Sequence, residues 1–107
     1  MQLSKNFHLF ELIVSQTAAR AGLDNRPNMQ AQKNLDRLCD TVLQPLRDAI
    51  GKPIIVTSGY RSPEVNRRVG GSSTSAHCYG CAADIHVPGM SSLELMRKIH
   101  GLKLPVD

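Results

Sequence analysis

The side chains able to bind a metal or an anion are concentrated between Arg61 and His86. The ones that matter here are Arg61, Ser75, His77, Cys78, Cys81, Asp84 and His86. His77 offers an imidazole nitrogen and Asp84 a carboxylate oxygen. Zinc accepts this mixture, and a catalytic zinc site takes three protein ligands plus a water. By spacing alone, a His and an Asp on either side of a short loop are more often unrelated surface residues. Alternate strand residues face the same side, so His86 would project with Asp84 and a His77/Asp84/His86 trio is geometrically open. The commoner case is a partly exposed strand histidine. His8 and His100 fall on expected helices and read as surface residues.

Cys78-Tyr79-Gly80-Cys81 has C-x-x-C spacing. A redox pair would open a helix inside a βαβ unit, whereas here a strand follows. A structural zinc site would need a second thiol pair or a histidine pair at matching spacing. Cys39 is the only other thiol, although His77 and His86 keep that reading open. The preferred reading is two small residues filling a tight loop, close enough to oxidise to a local disulfide if the thiols meet. Arg61 follows one expected strand and precedes a capped helix, so it can offer its planar fork to a carboxylate. The plain alternative is a surface arginine paired with Glu64.

These residues need elements to hold them. Pro53-Ile54-Ile55-Val56-Thr57 is a short apolar run that predicts a strand in the middle of a sheet. Ser58 to Arg61 turn out of it. Ser62 caps a helix with Pro63 at its first position, and Gly70-Gly71 end that helix. Residues 72–81 read as loop and Ala82 to Val87 as a second strand. Ser91-Ser92-Leu93-Glu94 has the form of a capping box for a helix carrying Leu93, Leu95, Met96 and Ile99.

Upstream, Ser4 or Asn6 is expected to cap a short helix that buries Phe7, Phe10, Ile13 and Val14. Residues 16–27 read as loop. Asn28 then opens a long amphipathic helix, about 29 to 50, whose apolar positions include Met29, Leu35, Leu38, Val42, Leu43, Leu46 and Ile50. Pro45 predicts a kink or restart near Gln44, and Gly51 a left-handed stop. Cys39 on this helix reads as a small buried hydrophobe. The pattern is α+β: a small antiparallel sheet packed against helices.

The chain has 107 residues, 41% hydrophobic and 21% charged, which suits one globular domain over 1–107. The net charge of +4 favours acidic partners, but the basic residues are scattered. Aromatics are 4% of the chain, with no Trp, which argues against stacking platforms for single-stranded nucleic acid. No run approaches the ~20 apolar residues that span a bilayer, and the N-terminus lacks a signal-peptide cleavage pattern. The expectation is therefore no nucleic-acid partner, no membrane and a cytoplasmic site of synthesis. An odd number of cysteines, Cys39, Cys78 and Cys81, does not support a secreted disulfide framework.

Taken together, the motifs are specific. T-S-G-Y-R-S-P-x-x-N from Thr57 to Asn66, V-G-G from Val69 to Gly71 and S-x-H-x-x-G-x-A-x-D from Ser75 to Asp84 resemble the M15 peptidases. That family holds zinc D-Ala-D-Ala carboxypeptidases and L-alanyl-D-glutamate endopeptidases that cut peptidoglycan stem peptides. The S-x-N-F-x-x-x-E-L start and Pro45-Leu46-Arg47 resemble its small phage and prophage branch. The resemblance implies a hedgehog/DD-peptidase-like fold, Zn²⁺ as cofactor, and His77 and Asp84 as two of its ligands. It also implies that Arg61 binds substrate and stabilises the oxyanion, that Ser75 helps hold the substrate, and that Gly80 and Ala82 are small so the loop can pack behind the metal. A phage lysin of this type would reach the cell wall on release.

The family takes its third zinc ligand from a histidine near the C-terminus and its general base from an acidic residue just before it, both on strands after a helix like 91–100. This sequence stops at Asp107, so a truncated domain lacking its C-terminal strands is expected, inactive on its own account if those groups are needed. A non-catalytic cell-wall or protein-binding module on the same scaffold is the alternative, and a C-x-x-C redox or structural zinc protein the weaker third.

Overall fold

A computed structural model describes residues 1–72 and 75–104. Ser73 and Thr74 of the expected loop, and the terminal Pro105, Val106 and Asp107, lie outside the described residues. The architecture is α+β. Strands β1 (Gln2–Ser4) and β2 (Phe7–His8) form one antiparallel ribbon, and β3 (Ile55–Ser58) and β4 (Asp84–His86) form another. Helices α1 (Leu9–Ile13), α2 (Gln16–Ala21), α3 (Met29–Leu38), α4 (Gln44–Ile50), α5 (Pro63–Arg68) and α6 (Ser92–Gly101) complete the described elements. No helix among them is long and apolar enough to cross a membrane.

The N-terminal segment differs from the expected single helix. Residues 2–8 double back as a hairpin, and α1 starts only at Leu9. Neither Ser4 nor Asn6 caps it. His8 does, its Nδ1 accepting from the Phe10 N–H while Glu11 Oε1 accepts from the His8 N–H. Both polar residues are instead held by the Gln44 amide, whose Oε1 accepts from Ser4 Oγ and the Asn6 N–H. A helix this short buries little of its circumference. Phe7 and Leu12 reach the core, whereas Phe10 and Val14, expected inside, are 65% and 51% exposed.

The stretch 16–27 also holds a helix. Gln-Thr-Ala-Ala-Arg-Ala is favourable helical sequence, Ser15 Oγ caps it from the Ala18 N–H, and Gly22 ends it at φ 66°. The loop residues Asp24, Asn25 and Pro27 fall after that stop.

The long helix is divided where proline demands it. Asn28 caps α3 as expected, accepting from the Ala31 N–H. A wider π turn over Cys39–Leu43 follows, in which the Gln44 N–H reaches the Cys39 carbonyl. Pro45 has no N–H to donate, and its ring would crowd a normal turn. The extra residue in the π turn absorbs that fault, and α4 restarts at Gln44. Gly51 closes it at φ 70°. Met29, expected on the apolar face, sits in the first turn and is exposed.

Leu35, Cys39, Leu43 and Leu46 from this helical run meet Phe7, Leu12, Ile54, Tyr60, Val87 and Leu95 in one core. Ser91 caps α6, which contributes Leu95 and the partly buried Ile99; Leu93 and Met96 face outward.

Cys39 is fully buried, and burial pushes its thiol up to about 12, with the carboxylates of Asp40, Asp36 and Glu11 acting in the same direction. The folded state therefore holds this proton more tightly than the unfolded chain. The resulting stability is fully present below the ordinary thiol value of 9.0 and is lost as pH rises toward about 12. Urea unfolding at rising alkaline pH should show stability falling with a slope that Cys39→Ala reduces.

Candidate metal centre

β3 and β4 pair antiparallel, with Ile55 opposite His86, Val56 opposite Ile85 and Ser58 opposite Asp84. The register shifts between Val56 and Ser58, and Thr57 Oγ1 donates to the Asp84 carbonyl across that irregularity. Strand alternation turns Val56 and Ile85 toward the core. Asp84 and His86 stay exposed on the other face. The strand expected in the middle of a sheet pairs only with β4 among the described residues.

His77 comes from a single 3₁₀ turn, Ala76–Tyr79, within the segment read as loop. Ser75 Oγ accepts from the His77 N–H at its start. Gly80 ends it at φ 76°, with Cys81 N–H bonding the Ala76 carbonyl and Gly80 N–H the His77 carbonyl. That pair of bonds is a Schellman closure. A Cβ on Gly80 would lie 2.4 Å from the Ala31 carbonyl oxygen, so the turn rests on the α3 backbone. Asn34 on α3 also donates to the Tyr79 carbonyl at 2.7 Å.

The His77 ring is oriented from beneath. Nδ1 lies 2.7 Å from the Gly59 carbonyl oxygen. A carbonyl can only accept, so Nδ1 carries the hydrogen and the neutral ring leaves its lone pair on Nε2. Nε2 lies 3.7 Å from Asp84 Oδ2. The imidazole is 14% exposed and the carboxylate 66%, which opens the pair toward solvent on one side. Gly59 itself is pressed against α1, for a Cβ there would lie 2.2 Å from the Leu12 carbonyl oxygen. The Tyr60 N–H donates to that same carbonyl at 2.7 Å.

Arg61 is fastened to this histidine turn. Its N–H donates to the His77 carbonyl at 3.1 Å, and its Nη2 donates to Ser75 Oγ at 3.3 Å. Nε is buried and has no partner among the described residues. The expected alternative, an Arg61–Glu64 ion pair, does not form among the described residues. Asn25 was invisible as a site residue in the sequence. It donates to the Ile13 and Tyr60 carbonyls and accepts from the Ser62 N–H, clamping the backbone on both sides of Arg61. An asparagine in a Gly/Asp/Pro-rich loop gives no sequence signal for this.

The other candidates separate. His86 shares the strand face with Asp84, yet no group of three His, Cys, Asp or Glu residues able to hold a metal is assembled among the described residues. The thiols are free. Cys78 is half-buried in a cavity with Tyr60 and Asn66, whereas Cys81 lines two others with Leu38 and Val42. Cys81 is exposed, so it does not fill the loop as expected; its thiol donates back to the Tyr79 carbonyl at 3.7 Å. Burial, with a contribution from Cys78, raises the Tyr60 hydroxyl above its ordinary range.

The donor set fits zinc. Two ligand atoms held tetrahedrally at about 2.0–2.2 Å from zinc lie ~3.3–3.6 Å apart. The observed 3.7 Å needs only a small closure. A metal-bound histidine usually donates its other ring N–H to a carbonyl or carboxylate, as His77 does to Gly59.

The α+β chain thus presents an imidazole and a carboxylate beside an anchored arginine. The family model described as Peptidase M15 matches residues 5–103, and the chain belongs to that family. A zinc D-Ala-D-Ala carboxypeptidase from Streptomyces albus G is 45% identical over 62 residues, covering 55% of this chain and 24% of that protein. The match thus spans about a quarter of the relative's length. No solved structure matches the chain.

Two outcomes follow from the geometry. Long-range ¹H–¹⁵N correlation of the metal-free protein at mildly alkaline pH should show His77 as the Nδ1–H tautomer. Gly80→Ala should lower stability by at least about 2 kcal/mol in urea unfolding, from left-handed strain together with the Ala31 contact.

Proposed function

We propose that this chain carries the metal- and substrate-binding part of a zinc peptidase that hydrolyses peptidoglycan stem peptides. The activity would be of the D-Ala-D-Ala carboxypeptidase or L-alanyl-D-glutamate endopeptidase type. The observation that carries this reading is the approach of His77 Nε2 to Asp84 Oδ2, with Nδ1 committed to Gly59. Membership of the M15 family and the named zinc carboxypeptidase relative support it.

In this reading His77 and Asp84 hold Zn²⁺. When bound, zinc supplies Lewis acidity toward the scissile carbonyl and toward a water. A third protein ligand and a proton acceptor would come from polypeptide other than the residues described. Arg61 binds the substrate's carboxylate or carbonyl and stabilises negative charge that develops there. Its N–H is bonded to the His77 carbonyl, so the cation and the ligand turn keep a fixed separation. Ser75 Oγ accepts from both Arg61 Nη2 and the His77 N–H, which leaves its own hydroxyl hydrogen to donate to the substrate. Tyr60 and Ser62 are immobilised through Asn25, so Arg61 meets the substrate pre-organised.

Competitive titration with a chromogenic chelator tests the metal assignment. His77→Ala and Asp84→Ala should each weaken zinc binding by at least the ~10–100-fold that loss of an outer-shell partner costs. Arg61→Ala should leave zinc affinity unchanged. Equal zinc affinity in wild type and His77→Ala would sink the assignment. Zinc-loaded protein that binds cell wall without releasing peptide would indicate a binding module instead.

A further inference from the structure

The proposed function leaves the two cysteines of the histidine turn without a task. Cys78 and Cys81 are both free thiols, separated by Tyr79 and Gly80. Residues three apart in a tight turn lie within about 7 Å. That range overlaps the ~4.4–6.8 Å between the Cα atoms of a disulfide. The Cys81 N–H bonds back to the Ala76 carbonyl, so the chain at Cys81 folds over the turn that carries Cys78. Its Sγ already donates at 3.7 Å to the carbonyl of Tyr79, the residue next to Cys78.

The two thiols are placed differently. Cys81 is exposed and borders cavities with Leu38 and Val42. Cys78 is half-buried and borders a separate cavity of about 440 Å³ with Tyr60 and Asn66. Joining them therefore requires part of the turn to move. The surroundings decide which part. Gly80 is seated on α3, where a Cβ would lie 2.4 Å from the Ala31 carbonyl oxygen. Asn34 of the same helix holds the Tyr79 carbonyl at 2.7 Å. The Cys81 side is thus anchored to α3. Cys78 has open volume beside it, and its N–H is held by the Ser75 carbonyl at 3.0 Å. Closing a bridge draws Cys78 toward Cys81. The peptide bond then draws His77 with it, off the Gly59 carbonyl that orients its ring.

We infer that Cys78 and Cys81 form a redox modification site for hydroperoxides, and that the Cys78–Cys81 disulfide displaces the His77 turn. The exposed Cys81 thiol reacts first, since oxidation follows access. Its sulfur attacks one peroxide oxygen and the O–O bond breaks. A sulfenic acid forms, with release of water from hydrogen peroxide or of an alcohol from an organic hydroperoxide. The Cys78 sulfur then attacks the sulfenic sulfur. The S–S bond forms, the S–O bond breaks, and the hydroxyl leaves as water with the Cys78 proton. The two thiols lose two electrons in all, and the two peroxide oxygens gain them. The inference rests on the proposed function only for its consequence at the metal. There, loss of the Gly59 bond weakens zinc binding by the ~10–100-fold that such support of a ligand is worth.

Thiol counting tests the site itself. The full chain is treated with hydrogen peroxide, then alkylated in denaturant and weighed intact. Two of the three free thiols should become unreactive, and dithiothreitol should restore them. Peptide mapping should place the bridge between Cys78 and Cys81. Long-range ¹H–¹⁵N correlation should show the His77 ring signals shifted in the oxidised chain. Chelator competition should show zinc affinity falling ~10–100-fold on oxidation and recovering on reduction. Cys78→Ser and Cys81→Ser should each bind zinc as the reduced wild type does, and peroxide should leave their affinity unchanged. The inference is overturned if no bridge forms, or if a bridge forms and the His77 signals stay in place. It is also overturned if the serine variants lose zinc affinity before oxidation, because the thiols would then be metal ligands. Reduced wild type that fails to bind zinc would remove the proposed function instead. The thiol count and the His77 signals would still decide the inference.

Discussion

The hydrogen bond from His77 Nδ1 to the Gly59 carbonyl is the contact on which the candidate site depends. It fixes the ring's tautomer and points Nε2 at Asp84. It also joins a turn late in the chain to the end of β3. Gly59 can receive it only because its own Cα lies against the Leu12 carbonyl, where no side chain would fit. Leu12 is fully buried and also takes the Tyr60 N–H through its carbonyl. The short helix α1 thus acts as a backstop for the turn that carries Gly59 and Tyr60. Its structural value lies in one buried leucine and one carbonyl more than in its length.

The second support is the interrupted helical run from Met29 to Ile50. Its first part carries the Gly80 turn on the Ala31 backbone and holds Tyr79 through Asn34. Its π turn brings Cys39, Val42 and Leu43 inward. Its last part begins with Gln44, whose side chain ties the N-terminal hairpin through Ser4 and Asn6. One element therefore connects the N-terminal ribbon, the core and the histidine turn. The widened turn ahead of Pro45 keeps the run continuous where an ordinary α-helical ladder would break.

The β3–β4 ribbon divides its residues by alternation. Val56 and Ile85 face the core, while Asp84 and His86 face out. The same rule that buries one face of the ribbon leaves the Asp84 carboxylate on the solvent face. Arg61 and Ser75 frame the other side of His77.

Much of this was legible in the amino-acid order. Local signals fixed Ser62-Pro63, Asn28, Gly51 and Ser91 as helix ends, because capping depends on a few adjacent atoms. The motif around Arg61, His77 and Asp84 marked the side chains for chemistry, and the M15 family match agrees with the resemblance it carried. The N-terminal hairpin, α2 and the exposed Phe10 and Val14 were not legible. Periodicity reports a helical face but not whether a partner covers it, and α1 is too short to have a covered face beyond Leu12. Asn25 and the Gly59 carbonyl were hidden for a similar reason. Their roles come from bonds to residues distant in sequence, Tyr60 and Ser62 in one case and His77 in the other. Sequence alone determined which residue types stand ready and where helices start and stop. Tertiary structure decided which nitrogen of His77 is free, which carboxylate it meets and which cavity each thiol of its turn borders, since those depend on through-space packing that no local spacing encodes.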